Sequence, residues 1–233
     1  MALPRVLFVG VGGLGCPAAR ALVGEALELV LLDDDVVDET NLHRQVLYED
    51  ADVGRPKAVA AAERLRALGA RCEAREARFL PSDATKHLRG IDLVVEGSDN
   101  FATKFLVADA CAQAGVRVVH GGAVAWNGWA LAVDPRRSPH APCLRCVFED
   151  VPDGSVPTCA DVGVLGPVVG VLGALQARLA RELLAGRAHD PLLHYRGLEG
   201  RLRSTRVRAR YDCPLQDPHG FALVAERYVS GCG

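Results

Sequence analysis

The chemistry open to this sequence is carried by a few polar residues placed where apolar runs end. The first such run, Val6-Leu7-Phe8-Val9, gives way at once to Gly10-Val11-Gly12-Gly13-Leu14-Gly15. Glycine there lets the backbone turn sharply and lets a phosphate approach bare N–H groups, and the helix predicted from Cys16-Pro17 points its positive end at that phosphate. A nicotinamide or flavin turn would use the same pattern. A second apolar run, Leu29-Val30-Leu31-Leu32, ends in Asp33-Asp34-Asp35. A carboxylate at that place bonds ribose hydroxyls in a Rossmann fold, and Asp33 is the candidate; the competing reading is an acidic loop. Lys57 follows Gly54-Arg55-Pro56 in the first turn of a predicted helix. A cation opposes the helix dipole there unless it faces a phosphate, and otherwise it is a surface lysine. Asp99 follows the run Ile91–Val95 and is suited to hold Mg²⁺ for a triphosphate. Its neighbour Asn100 is a candidate for binding the nucleotide, for capping the next helix, or for both. Cys143-Leu144-Arg145-Cys146 has the spacing of half a zinc site, and Cys159 offers a thiol in the same proline-rich segment.

These residues need a scaffold, and hydrophobic periodicity supplies one. Apolar strands are predicted at Val6–Val9, Leu29–Leu32, Ile91–Val95 and Val116–His120, alternating with helices after Gly15, from Lys57 to Leu68 and from Phe101 to Ala114. Such alternation is the signature of a parallel α/β sheet. After it, Ala123–Trp126 and Trp129–Val133 flank Asn127-Gly128, a strong hairpin signal that turns the sheet antiparallel. The two tryptophans read as packing partners. Gly166 to Gly186 reads as a buried helix. Leu192 to Tyr211 reads as strands, with Arg206, Arg208 and Arg210 on one face, either a charged edge or a docking face for an acidic protein. The expected class is therefore α/β, a Rossmann-like sheet that is parallel in its N-terminal half and has antiparallel strands added in its C-terminal half. Residues 1–233 are expected to form a single domain, with a nucleotide-binding half over 1–120 and the hairpin, cysteine segment, buried helix and last strands over 121–233.

With 27 basic and 29 acidic residues the net charge is −2, so no nucleic-acid or membrane-surface partner is expected. Three lysines stand against 24 arginines. No signal peptide is read before the first strand, and the uncharged run Val162–Ala177 is too short to span a bilayer comfortably. Eight cysteines in such a chain point to a reducing, cytoplasmic setting, with thiols kept for metal or catalysis.

Taken together, the motifs resemble the ThiF/MoeB/HesA family, the bacterial relatives of ubiquitin-activating enzymes. The resemblance rests on Gly10-x-Gly12-Gly13-Leu14-Gly15, Leu32-Asp33-x-Asp35, Asn41-Leu42-x-Arg44-Gln45, Gly54-x-Pro56-Lys57, Ser98-Asp99-Asn100, Pro142-Cys143-x-x-Cys146, Cys159 and the run Gly163–Gly173. It implies that ATP and Mg²⁺ activate the C-terminal Gly-Gly carboxylate of a small ubiquitin-like sulfur carrier as an acyl-adenylate, in thiamine, molybdopterin or tRNA-thiolation pathways. On the same resemblance Asp33 holds the ribose, Arg44 and Lys57 neutralise phosphates, and Asn41 and Gln45 set the triphosphate. Asp99 carries the magnesium, Cys159 joins the activated carrier, and the protein is a homodimer. Alternatives within the superfamily are a tRNA-modifying dehydratase and a non-catalytic nucleotide or carrier binder.

Two departures from the family pattern stand out. Members usually carry a helical arm with an arginine ahead of the first strand, whereas here Arg5 is the only arginine before the glycine turn, and Arg20 is a candidate substitute. The second cysteine pair reads Cys213-Pro214-Leu215-Gln216, which leaves Cys143, Cys146 and Cys213 either as an incomplete zinc set that His219 or Cys232 would complete or as a degraded, metal-free site.

Overall fold

The computed structural model describes residues 2–137, 141–148, 163–187 and 191–228. Its frame is one eight-stranded sheet in the order β3-β2-β1-β4-β5-β6-β7-β8. Strands β1 (Arg5–Val9), β2 (Glu28–Leu32), β3 (Arg71–Arg75), β4 (Leu93–Glu96) and β5 (Arg117–Val124) run parallel. Strands β6 (Asn127–Val133), β7 (Pro191–Arg196) and β8 (Arg201–Arg206) add antiparallel to the far side. The expected fold class is the one observed.

The central parallel strands are apolar at nearly every position because both faces are covered. Val6, Phe8, Leu29 and Leu31 pack on one face under helices α1 (Gly15–Ala21), α2 (Lys57–Ala67) and α6 (Gly166–Leu184). Leu7, Val9, Val30 and Leu32 point the other way, into a core with α3 (Ala84–Leu88), α4 (Phe101–Ala114) and the short α5 (Arg145–Phe148). At the first crossover Gly10 holds φ +89°, and a Cβ on Gly15 would lie 2.1 Å from the Gly10 carbonyl oxygen. The turn can therefore seat α1 on the end of β1 only with glycine at these positions.

Two expectations need correction, and two elements were not expected. The hairpin forms, but its two-residue turn is Ala125-Trp126, since Val124 pairs with Asn127. Ala125 takes φ +50°, and its backbone is fixed by Gly163 and Leu165. Gly128 lies instead inside β6, where a Cβ would come 2.1 Å from Leu172 Cδ1 of α6. The Asn-Gly pair thus serves helix packing, which overrides its turn preference. The arginine face also stops short: β8 ends at Arg206, and Arg210 turns back to pair with Asp212 at 2.7 Å. The unexpected elements are β3 and α3, whose five-residue lengths give little sequence signal. β3 is a half-exposed edge strand of alternating charge. No helix among the described residues is long and apolar enough to cross a membrane.

Candidate functional site

The carboxyl ends of β1, β2, β4 and β5 open onto a cavity of about 260 Å³, the place where open α/β sheets bind ligands. Its wall gathers Gly10, Gly12, Gly13, Asp33, Asp35, Arg44, Gln45, Lys57, Asp99 and Asn100. Ten of the residues singled out from the sequence therefore meet in one place. Gly15 sits just behind, buried at the start of α1, and Asn41 lies one layer out.

Asp33 braces the turn. Its Oδ2 accepts from Val11 N at 2.7 Å and its Oδ1 from Asp35 N at 2.9 Å. Burial pushes its carboxyl above the ordinary range, and these two N–H donors and Lys57 pull it back. Lys57 is buried, and its Nζ donates to Asp35 Oδ2 at 2.9 Å. Asp34 pairs with Arg78 at 3.1 Å. The Asn-Leu-x-Arg-Gln run folds against the glycines: a Cβ on Gly13 would meet Arg44 Cδ at 3.6 Å, and one on Gly12 would meet Gln45 Nε2 at 3.6 Å. Arg44 is oriented by bonds to Asn41 Oδ1 and to His43 Nε2. Gln45 Oε1 is buried without a partner, an acceptor held ready beside the turn. On the opposite wall Asn100 Oδ1 accepts from Thr103 N at 2.7 Å and caps α4, leaving Asp99 exposed next to it. An exposed carboxylate facing the cavity is a hard oxygen donor of the kind that suits Mg²⁺.

Beneath this wall lies a buried charge network that sequence reasoning missed. Glu96 ends β4 fully buried and accepts from Ser98 N at 2.7 Å, Ser98 Oγ at 2.5 Å and Lys104 Nζ at 3.0 Å, with His120 Nδ1 at 3.4 Å. Lys104 also reaches Gly121 O, so it ties the end of β4 to the middle of β5. Burial alone would push the Glu96 carboxyl up, but Lys104, His120 and Ser98 outweigh it and hold it ionised. His120 is pushed down by burial and stays neutral. The available signal was a lone Glu closing an apolar strand and a lone Lys in an apolar helix. Trp129 shares the cavity wall and packs on Phe148 with ring centroids 4.7 Å apart.

Cys143, Cys146 and Cys213 form a separate cluster. Cys143 Sγ lies 3.8 Å from Cys146 Sγ and 3.4 Å from Cys213 Sγ, with all three within 4.8 Å of one another. Zinc–sulfur bonds of about 2.3 Å in a tetrahedron put thiolates about 3.8 Å apart, so the set fits such a metal. Hydrogen bonds from Cys143 and then Cys213 hold the Cys146 thiol far below its usual range. The cluster is anchored by Asp109 of α4, which is buried and bonded by Arg145 Nη2 at 2.9 Å, Arg227 Nε at 3.1 Å and Tyr228 Oη at 3.1 Å. His219, offered as a fourth ligand, is exposed and outside the cluster. Cys159 and Cys232 lie outside the described residues. Arg5 is bound to Glu28 and Glu73 at the amino-terminal end of β1, and Arg20 is exposed near the end of α1; neither lines the cavity.

Comparisons with known proteins place the chain in a family. The ThiF family model matches residues 2–215. The SAMP-activating enzyme E1 of Haloferax volcanii is 40% identical over 236 residues, covering 98% of this chain and 86% of that protein. A sulfur carrier protein adenylyltransferase of Thermus thermophilus is 41% identical over 240 residues, covering 98% and 88%. Among solved structures, E. coli MccB with MccA-N7isoASN superposes with a TM-score of 0.76 at 21% identity, covering 91% of this chain and 66% of that one, and so shares the fold. The chain belongs to the ThiF family.

Proposed function

We propose that this chain is an ATP-dependent adenylyltransferase that activates the C-terminal Gly-Gly carboxylate of a ubiquitin-like sulfur carrier protein. The observation that carries the reading is one cavity lined by a glycine turn, by Arg44 and Lys57, and by the exposed carboxylate of Asp99. Redox chemistry on a nicotinamide has no use for Arg44 and Lys57 there. Attack of a carboxylate on the α-phosphate does, because phosphoryl-centred catalysis is positioning plus neutralisation of charge.

Asp33 holds the ribose with the lone pairs its two backbone bonds leave free. Gly12 and Gly13 let the phosphates approach the main chain. Arg44 and Lys57 neutralise them, and Asn41 keeps the Arg44 guanidinium aimed. Gln45 offers its unpartnered Oε1 and its amide to the same region. Mg²⁺, held by Asp99, would draw charge from the pyrophosphate leaving group. Glu96 fixes Ser98 and through it the strand-end loop that presents Asp99. The carrier carboxylate bonds to the α-phosphorus as the α–β bridge breaks, and pyrophosphate leaves.

The reading treats residues 1–233 as one adenylation domain, acting as a homodimer in the cytoplasm. The exposed Leu165 and Val171, at the start of α6 and on it, support an apolar contact between copies. Cys143, Cys146 and Cys213 are assigned to zinc, and Cys159 to capture of the activated acyl group by its thiolate, with AMP as leaving group. Incubation with ATP, Mg²⁺ and a Gly-Gly carrier is expected to raise the carrier's intact mass by one adenylate. A carrier lacking the two glycines is expected to stay unmodified; modification of it would overturn the assignment. Cys159→Ser is expected to keep adenylation and lose sulfur transfer.

A further inference from the structure

The two cysteine knuckles are folded alike although their sequences differ. Cys146 N donates to Cys143 O at 3.0 Å, and Gln216 N donates to Cys213 O at 2.9 Å. Gln216 therefore stands on the second knuckle where Cys146 stands on the first, the place from which a fourth thiolate would complete a tetrahedral set. Its side chain is exposed, and Nε2 is spent on Arg210 O at 2.9 Å, beside the Arg210 N–H that bonds Cys146 Sγ at 3.4 Å. Among the described residues no further His, Cys, Asp or Glu reaches the cluster. Contacts within the chain also hold the knuckles. Arg145, inside the first, is clamped by buried Asp109, and its carbonyl accepts from Arg210 at 3.4 Å.

We propose that Cys143, Cys146 and Cys213 form a three-thiolate metal site whose fourth position is open to solvent and is filled by an exchangeable small ligand, water at rest and a small thiol when one is present. The inference rests on assigning the cluster to zinc. Four protein thiolates close a zinc site, whereas three protein ligands leave one position for water or an incoming ligand. Gln216, which stands on the second knuckle where a fourth thiolate would, is exposed. In the exchange, bound water leaves, the thiol sulfur bonds the metal, and the thiol proton passes to solvent. No electron is transferred.

The test uses the full chain loaded with Co²⁺, prepared with a phosphine reductant and no thiol, and read by visible absorption as 2-mercaptoethanol is added. One Co²⁺ per chain is expected, with bands that shift and intensify on thiol addition. Gln216→Cys is expected to show the four-thiolate spectrum from the outset, to ignore added thiol, and to hold Zn²⁺ against a chelator at least about tenfold more tightly. Cys159→Ser and Cys232→Ser are expected to leave the wild-type response unchanged. A wild-type spectrum insensitive to thiol, or one altered by either serine variant, means that the chain supplies the fourth ligand and overturns the inference while leaving the metal assignment standing. Failure of the wild type to bind Co²⁺ or Zn²⁺ at one per chain overturns both. Should Gln216→Cys not fold, the wild-type titration decides alone.

Discussion

The cavity and the cysteine cluster are built in opposite ways. The cavity is assembled from the ends of adjacent parallel strands, so its groups come into register whenever the sheet forms. The cysteine cluster joins knuckles 70 residues apart that no shared strand aligns, and its position depends on a buried Asp109 contacted by Arg145, Arg227 and Tyr228. Topology places the first, and buried ion pairs place the second. Chemistry can therefore be removed from the cavity with little loss of stability. The cluster is expected to behave the other way round.

The sharpest break of that contrast is Asp109→Ala. It removes the buried carboxylate that Arg145, Arg227 and Tyr228 all bond, and a loss of about 3–5 kcal/mol in unfolding free energy is expected from denaturant titration. The fraction still folded should keep its adenylation rate, because Asp109 touches no wall of the cavity. Asp99→Ala is the mirror experiment. Its carboxylate is exposed, so stability should move by no more than about 0.5 kcal/mol, while pyrophosphate exchange should fall by about 100- to 1000-fold. Next comes Cys213→Ser. Wild-type melting should rise with added Zn²⁺ as mass action requires, and the variant should lose that response in differential scanning calorimetry.

The smallest effect expected is graded with pH. Burial lowers the affinity of His120 and His87 for protons, so the unfolded chain binds protons first. Stability is then complete above 6.5, the ordinary imidazole value, and declines as pH falls below it. A second decline follows below 4.5 as Glu96, held low by Lys104, is protonated and its network is lost. Asp33, raised by burial, opposes this in part. Melting midpoints measured from pH 8 to pH 4 check the sign.

Much of the cavity was legible because its residues follow short motifs at strand ends, where type and position both carry meaning. The expected α/β class and the cavity residues from Gly10 to Asn100 emerge this way. Glu96 and Lys104 were not read as partners, since their meeting depends on α4 lying across β4, which no local pattern states. The hairpin was found but placed two residues late, because Gly128 answers to Leu172, a residue 44 positions on. In the cysteine cluster the Cys-x-x-Cys spacing was visible, yet the anchoring Asp109 looks in sequence like any helical aspartate.

The account stands or falls on whether the cavity activates a carrier. ATP–pyrophosphate exchange, followed with labelled pyrophosphate and Mg²⁺, measures this directly with candidate sulfur carriers. Exchange that appears only with a carrier ending in Gly-Gly, and that is lost in Lys57→Ala and Asp99→Ala, is the predicted result. ATP binding without exchange for any such carrier, or exchange unaffected by both substitutions, would contradict it.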